Sequence, residues 1–218
     1  MQTKLRMAVF GGTGGLGEQL IPLLSDKYEV FKIGSALVDI TDFQAVQSYF
    51  VNAKIDIVLN MAGKKYDTFV SDILSFENYI EVHDMLKVNI NGTINIISAC
   101  LPYMIEKKFG RIICLSSVFS EQNVPKNAVY CASKAFIDRF IGVANKENLR
   151  HGVTCNTIQL GYWDGGMCYR IAQEYQDKAK HKIGLKRFGA MQELYSAINF
   201  IIDTEYCCGT NLKLDGGL

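Results

Sequence analysis

Met7-Ala8-Val9-Phe10-Gly11-Gly12-Thr13-Gly14-Gly15-Leu16-Gly17 passes from a short apolar run straight into a glycine cluster. The apolar run reads as a buried strand, and Gly15–Ser25 has helical spacing, so the glycines occupy a strand-to-helix corner. At such a corner the first helical N–H groups lack intrahelical acceptors and carry partial positive charge, which suits a pyrophosphate. A Cβ on the turn would hold that ligand away from the backbone. Glycine also serves any tight corner, so the position of the cluster carries the argument for a nucleotide.

Outward from this corner, short apolar runs alternate with longer helical segments. Met7–Phe10, Val30–Ile33, Ile55–Leu59, Arg111–Leu115, Val153–Ile158 and Asn211–Leu214 read as strands. Gly15–Ser25, Thr41–Asn52, Met85–Lys107, Val129–Asn148 and Met191–Asp203 read as helices. Thr41 with Gln44 predicts a capping-box start, and Pro22 predicts a kink or a lost hydrogen bond. The alternation predicts one doubly wound α/β domain over residues 1–218, with a mostly parallel sheet and helices on both faces. Ile-Asp-Ile-Val-Leu from residue 55 and Arg-Ile-Ile-Cys-Leu from residue 111 approach the continuous apolar character of strands covered on both sides.

Composition narrows the function classes. The 218 residues are 49% hydrophobic and 21% charged with a formal net charge of +1, which gives no bulk attraction to nucleic acid or an anionic membrane. Seven cysteines (Cys100, Cys114, Cys131, Cys155, Cys168, Cys207 and Cys208) contain no C-x-x-C pair, and His83, His151 and His181 are far apart. No metal site or disulfide framework is expected, and free thiols point to a reducing cytoplasm. The start of the chain lacks a signal-peptide core, and no run of eighteen apolar residues predicts a membrane span.

Tyr130 and Lys134 lie four residues apart and share one helix face. A tyrosine with the ordinary pKa of about 10 holds its proton too tightly for acid–base work near neutrality, and a nearby ammonium, with an oxidised nicotinamide, is expected to lower that value. Tyr130 is therefore a candidate proton donor to a carbonyl, or base in the reverse direction.

Five elements together resemble the short-chain dehydrogenase/reductase family, nearly end to end. They are the glycine turn spaced Gly11-x3-Gly15-x-Gly17, Val38-Asp39-Ile40-Thr41-Asp42, Asn60-Met61-Ala62-Gly63, Asn89 in Val-Asn-Ile-Asn-Gly, and Tyr130-Cys131-Ala132-Ser133-Lys134 with Ser117 thirteen residues upstream. The resemblance implies a Rossmann-type domain with Asn89, Ser117, Tyr130 and Lys134 as catalytic residues. Ser117 would donate to the carbonyl oxygen, Asn89 would hold a water in a proton relay, and Lys134 would also bind the nicotinamide ribose. It implies cofactor contacts from Gly11, Thr13, Gly14, Gly15, Leu16, Gly17, Ser35, Asp39, Ile40, Asn60, Ala62, Gly63 and Gly161, beside Tyr130 and Lys134. The blander readings are a helix cap for Asp39 and a strand-end tie for Asn60.

An acid at the end of the second strand selects NAD by accepting from both ribose hydroxyls and repelling a 2′-phosphate. Val30-Phe31-Lys32-Ile33-Gly34-Ser35 ends without one, and Ser35 stands at the matching position, so NADP is expected over NAD. The stretch from Ser35 to Asp39 is too short for the usual intervening helix, so one crossover is trimmed. Leu160-Gly161 replaces the family's Pro-Gly turn, Gly165 its downstream threonine, and Phe10 the threonine that opens its glycine motif. The substrate lid is expected over 163–185, with Trp163, Tyr169 and Arg170 as candidate substrate contacts; the alternatives are a solvated face for the lid charges and core packing for Trp163 and Tyr169. Relatives associate through their two longest helices, which implies a homodimer or homotetramer here. The expected activity is NADPH-dependent reduction of a ketone, with a 3-oxoacyl thioester favoured. The alternatives are a sugar or polyol carbonyl, or a cofactor-binding regulator without chemistry.

Overall fold

Apolar residues in the central strands are buried on both sides of the sheet, and the strand period of two sends alternate side chains to opposite layers. Met7 and Val9 enter one core while Ala8 and Phe10 enter the other. The computed structural model describes residues 3–166 and 172–218. Its strands are β1 (Arg6–Phe10), β2 (Glu29–Ile33), β3 (Ile57–Asn60), β4 (Gly110–Ser117), β5 (Val153–Leu160) and β6 (Asn211–Leu214). They form one parallel sheet in the order β2-β1-β3-β4-β5-β6. Helices α1 (Gly15–Ser25) and α7 (Met191–Asp203) cover one face through Leu20, Leu24, Leu194 and Ile198. The other face carries α2 (Phe43–Asn52), α4 (Thr93–Lys107) and α5 (Ala128–Asn148) through Val46, Phe50, Ile96, Ile97, Ile137 and Ile141. The expected doubly wound α/β domain is thus what the chain forms.

The longest expected helix is interrupted. Met85–Lys107 divides among α3 (Phe76–Leu86), a π-helical turn at Lys87–Gly92, and α4. A wide turn adds one residue to the helical repeat without disturbing the local apolar spacing, so the pattern conceals it. The cap of α2 also differs from expectation. Asp42, not Thr41, accepts from the N–H groups of Gln44 and Ala45 at 2.8 and 3.1 Å, while the Thr41 hydroxyl donates to Asp39. Pro22 sits on the solvent side of α1, and the helix continues through it.

Residues 34–42 make turns closed on the Gly34 and Asp39 carbonyls, so the motif at Val38–Asp42 lies on a loop and not on a strand. The trimmed crossover leaves β2 as an edge. Cys100, Cys114 and Cys155 gather in the α4–α5 core, and burial pushes the Cys114 and Cys155 thiols up to about 12. Among the described residues no helix is long and apolar enough to cross a membrane.

Replacing Asp42 with alanine is expected to destabilise the protein by about 1 kcal/mol in urea unfolding, against less than half of that for Thr41→Ala. Equal losses would show that the cap belongs to neither residue alone.

Candidate active site

The chain order reverses direction across the sheet between β1 and β3, and the carboxyl ends of a parallel sheet hold their ligands at such a point. Gly11 leaves β1 with φ +76°, and a Cβ there would lie 2.8 Å from the backbone nitrogen of Ala62. Gly17 packs on Gly12, where a Cβ would come within 2.6 Å of its Cα. Gly14 caps α1 through backbone alone, leaving the N–H groups of Gly15, Leu16 and Gly17 without intrahelical acceptors. Backbone donors at a cradle without side chains fit a dinucleotide pyrophosphate.

Beside the turn lies a cleft of about 290 Å³ lined by Gly11, Thr13, Gly14, Ser35, Asp39, Ile40, Ala62 and Gly63. All of these are among the expected cofactor contacts, Ser35 and Asp39 at its adenosine end. Asp39 directs one oxygen to the Thr41 N–H and hydroxyl, both at 2.9 Å, so it shapes the loop as well as lining the cleft. Lys32, the cation nearest the turn, pairs with Glu18 at 2.5 Å. Asn60 faces inward: its amide donates to Thr93 Oγ1 and its oxygen accepts from the Ala62 N–H. Its side chain thus ties the strand end, which is the blander of the two readings, directly before Ala62 and Gly63 on the cleft wall.

A second cleft of about 680 Å³ shares Gly63 and Lys64 with the first, so the two run end to end across the strand ends. Ser117, Tyr130 and Gly161 all line it. Ser117 ends β4, and its hydroxyl accepts from the Phe119 N–H at 3.2 Å. Tyr130 and Lys134 share the buried face of α5, and Ser133 between them donates to the Tyr130 carbonyl.

Lys134 is 5% exposed, donates from Nζ to the Leu115 carbonyl at 3.0 Å, and stands 5.8 Å from the centre of the Tyr130 ring. Burial lowers its ammonium to about 8, with Cys114 and Asp138 pulling upward. In the chain by itself the Tyr130 phenol is raised. Burial pushes it up to about 12, and the Ser117 hydrogen bond offsets this only in part. The Lys134 ammonium is engaged by β4 rather than by the phenol, so desolvation under Phe119 outweighs it.

Asn89 sits in the π-helical turn, fully buried. Its oxygen accepts from the Lys64 N–H at 2.8 Å, and its amide donates to the Lys64 carbonyl at 2.9 Å and to Ser133 Oγ at 3.1 Å. Both amide hydrogens are engaged within the chain, so the side chain braces the β3 exit against α5.

Trp163 takes the core alternative. It is 4% exposed and packs among the α1 and α7 side chains, with Gly189 against its indole, because a large ring there fills the core beneath the lid root. Tyr162 lines the cleft instead. Tyr169 and Arg170 lie outside the described residues. In the remaining lid, α6 (Gln173–Lys182) buries no side chain, and Lys178 pairs with Glu174 at 2.6 Å, as a solvated charged face would. Sequence reading also missed Lys64, Lys65, Tyr66, Asp67, Val118 and Phe119, whose signal was position after the end of β3 or β4, and Glu81 and Met85 on α3, which had no such signal.

Because the folded Lys134 value of about 8 lies below its ordinary 10.5, the unfolded chain binds the extra proton between those pH values, and stability rises with pH across that window. Urea midpoints at pH 7.5 and 9.5 should therefore climb in the wild type relative to Lys134→Met. Parallel changes in the two proteins would refute the depressed ammonium.

Comparison with known proteins agrees with this geometry. The family model described as short chain dehydrogenase matches residues 23–176. The 3-oxoacyl-[acyl-carrier-protein] reductase FabG of Haemophilus influenzae is 27% identical, covering 100% of this chain and 99% of its own. The acetoacetyl-CoA reductase of Allochromatium vinosum is 32% identical over 75% of this chain and 66% of its own. Among solved structures, ElxO with NADP bound superposes with a TM-score of 0.86 at 18% identity, over 99% of this chain and 98% of that one, a likeness of fold. Motifs, topology and family match converge, and the chain belongs to the short-chain dehydrogenase/reductase family of NAD(P)-dependent oxidoreductases.

Proposed function

We infer that the chain reduces a ketone to a secondary alcohol with NADPH, and that the ketone is a 3-oxoacyl thioester. The observation that carries this reading is the buried Tyr130 phenol beside Ser117, in a cleft that opens onto the dinucleotide groove at Gly63. The names of the *FabG*-type and acetoacetyl-CoA relatives support the thioester.

The nicotinamide, when bound, supplies hydride to the carbonyl carbon. Ser117 donates a hydrogen bond to the carbonyl oxygen and stabilises the charge that grows there. Tyr130 then gives its proton to that oxygen. A phenol raised to about 12 is still far more acidic than an alcohol, so the transfer runs downhill. Lys134 keeps a positive charge near the ring and favours the phenolate left behind. For the cofactor, Ser35 lines the adenosine end where an acid would repel a 2′-phosphate, which supports NADPH.

The test follows NADPH oxidation with acetoacetyl-CoA, and with an aldose as the comparison substrate. Tyr130→Phe should lower kcat by about 10²–10⁴-fold while NADPH binding stays within twofold. A phenylalanine variant that keeps its turnover would remove Tyr130 from the reaction, and turnover of the aldose alone would move the substrate to sugars. Separately, Ser35→Asp should weaken NADPH relative to NADH by roughly tenfold or more in fluorescence titrations, on the order of 1.4 kcal/mol. No change in that ratio would break the argument for NADPH.

A further inference from the structure

We propose that Gln159 is a positioning residue for this reaction, its carboxamide clamping together the chain segments that carry Ser117, Tyr130 and Lys134. The proposal rests on the ketone-reductase reading of the site. Gln159 lies in β5, a strand buried along its whole length, and is itself 1% exposed. An apolar side chain would fill such a place without needing hydrogen-bond partners. The carboxamide instead faces three acceptors from two other segments. Its Nε2 lies 2.8 Å from Asp138 Oδ2 on α5, 2.9 Å from Ser120 Oγ and 3.1 Å from Glu121 Oε1.

Each contact bears on the candidate active site. Asp138 is one helical turn beyond Lys134 and two beyond Tyr130. Ser120 and Glu121 end the short turn that begins just after Ser117. The neighbours of Gln159 in the sheet extend the same tie. Ser116 lies beside it on β4 and donates to the Lys134 carbonyl at 3.3 Å. On the other side, Lys213 of β6 donates to Glu121 Oε2 at 2.6 Å. A polar row across β4, β5 and β6 therefore fixes the Ser117 turn and α5 to one another from beneath. The functional group that spans both segments is the Gln159 amide. Because an error of about 1 Å in reacting geometry lowers rates by up to roughly 100-fold, a clamp at this point acts on the chemical step.

The experiment compares the full chain with Gln159→Leu and with the milder surface variant Glu121→Ala, which removes one acceptor without touching the core. Amide hydrogen exchange is measured over residues 117–121 and over β1 and β3, together with kcat and KM for NADPH and acetoacetyl-CoA. Gln159→Leu should speed exchange in 117–121 by tenfold or more with β1 and β3 unchanged. It should lower kcat by 10- to 100-fold while KM for NADPH stays within twofold, and Glu121→Ala should follow in the same direction by less. Unchanged exchange in 117–121, or faster exchange spread evenly over the sheet, overturns the proposal; the latter makes Gln159 a general core residue. If Gln159→Leu does not fold, unchanged exchange in Glu121→Ala overturns it and a local rise confirms it. If the wild type turns over no ketone, the reductase reading fails and the exchange measurements alone decide the clamp.

Discussion

Backbone meets backbone where β1 leaves the sheet, with no room for a side chain between. Gly11 lies against Ala62 and Gly17 against Gly12, so the glycine turn, the start of α1 and the exit of β3 touch directly. That closeness sets the floor of the dinucleotide groove and places Gly63 where the two clefts join. It also fixes where β3 releases the chain toward Lys64, and Asn89 grips both the N–H and the carbonyl of that residue. Through Ser133 the same amide reaches α5, so the position of Tyr130 depends on contacts that begin at Gly11.

Much of this was legible before any coordinates. Strand and helix alternation, the glycine corner and the four-residue step from Tyr130 to Lys134 are local features whose physical meaning survives folding. The α1 bounds of Gly15–Ser25, the α7 bounds of Met191–Asp203 and the β6 bounds of Asn211–Leu214 agree with the sequence reading to the residue. What escaped it depends on three-dimensional neighbours. Whether Trp163 faces a substrate or the α1–α7 core is decided by Gly189, which is distant in sequence. The π-helical turn around Asn89 leaves the apolar spacing almost intact, and the rivalry between Thr41 and Asp42 for one cap is settled by Asp39 taking the threonine hydroxyl.

The raised pKa of Tyr130 has a similar origin. Spacing places an ammonium near the phenol but says nothing of where its N–H bonds go. In the fold the Leu115 carbonyl receives one, and desolvation of the phenol becomes the larger influence. For a proton donor this is a useful outcome, since the proton stays on the oxygen until a stronger base forms beside it. Ser117 counters part of the burial and is the group nearest to that event.

The three core cysteines have a consequence for the life of the chain rather than for its catalysis. Burial raises all three thiols, Cys114 and Cys155 to about 12, so they hold almost no thiolate at neutral pH, and thiolate is the form that oxidants and disulfides attack. Once β4 and β5 have paired and α4 and α5 have closed over them, Cys100, Cys114 and Cys155 are chemically silent whatever the redox poise outside. Their vulnerable interval is the time before closure, while a parallel sheet waits for partners distant in sequence. For these three thiols a reducing environment thus matters chiefly during synthesis and refolding, and much less once the core has closed.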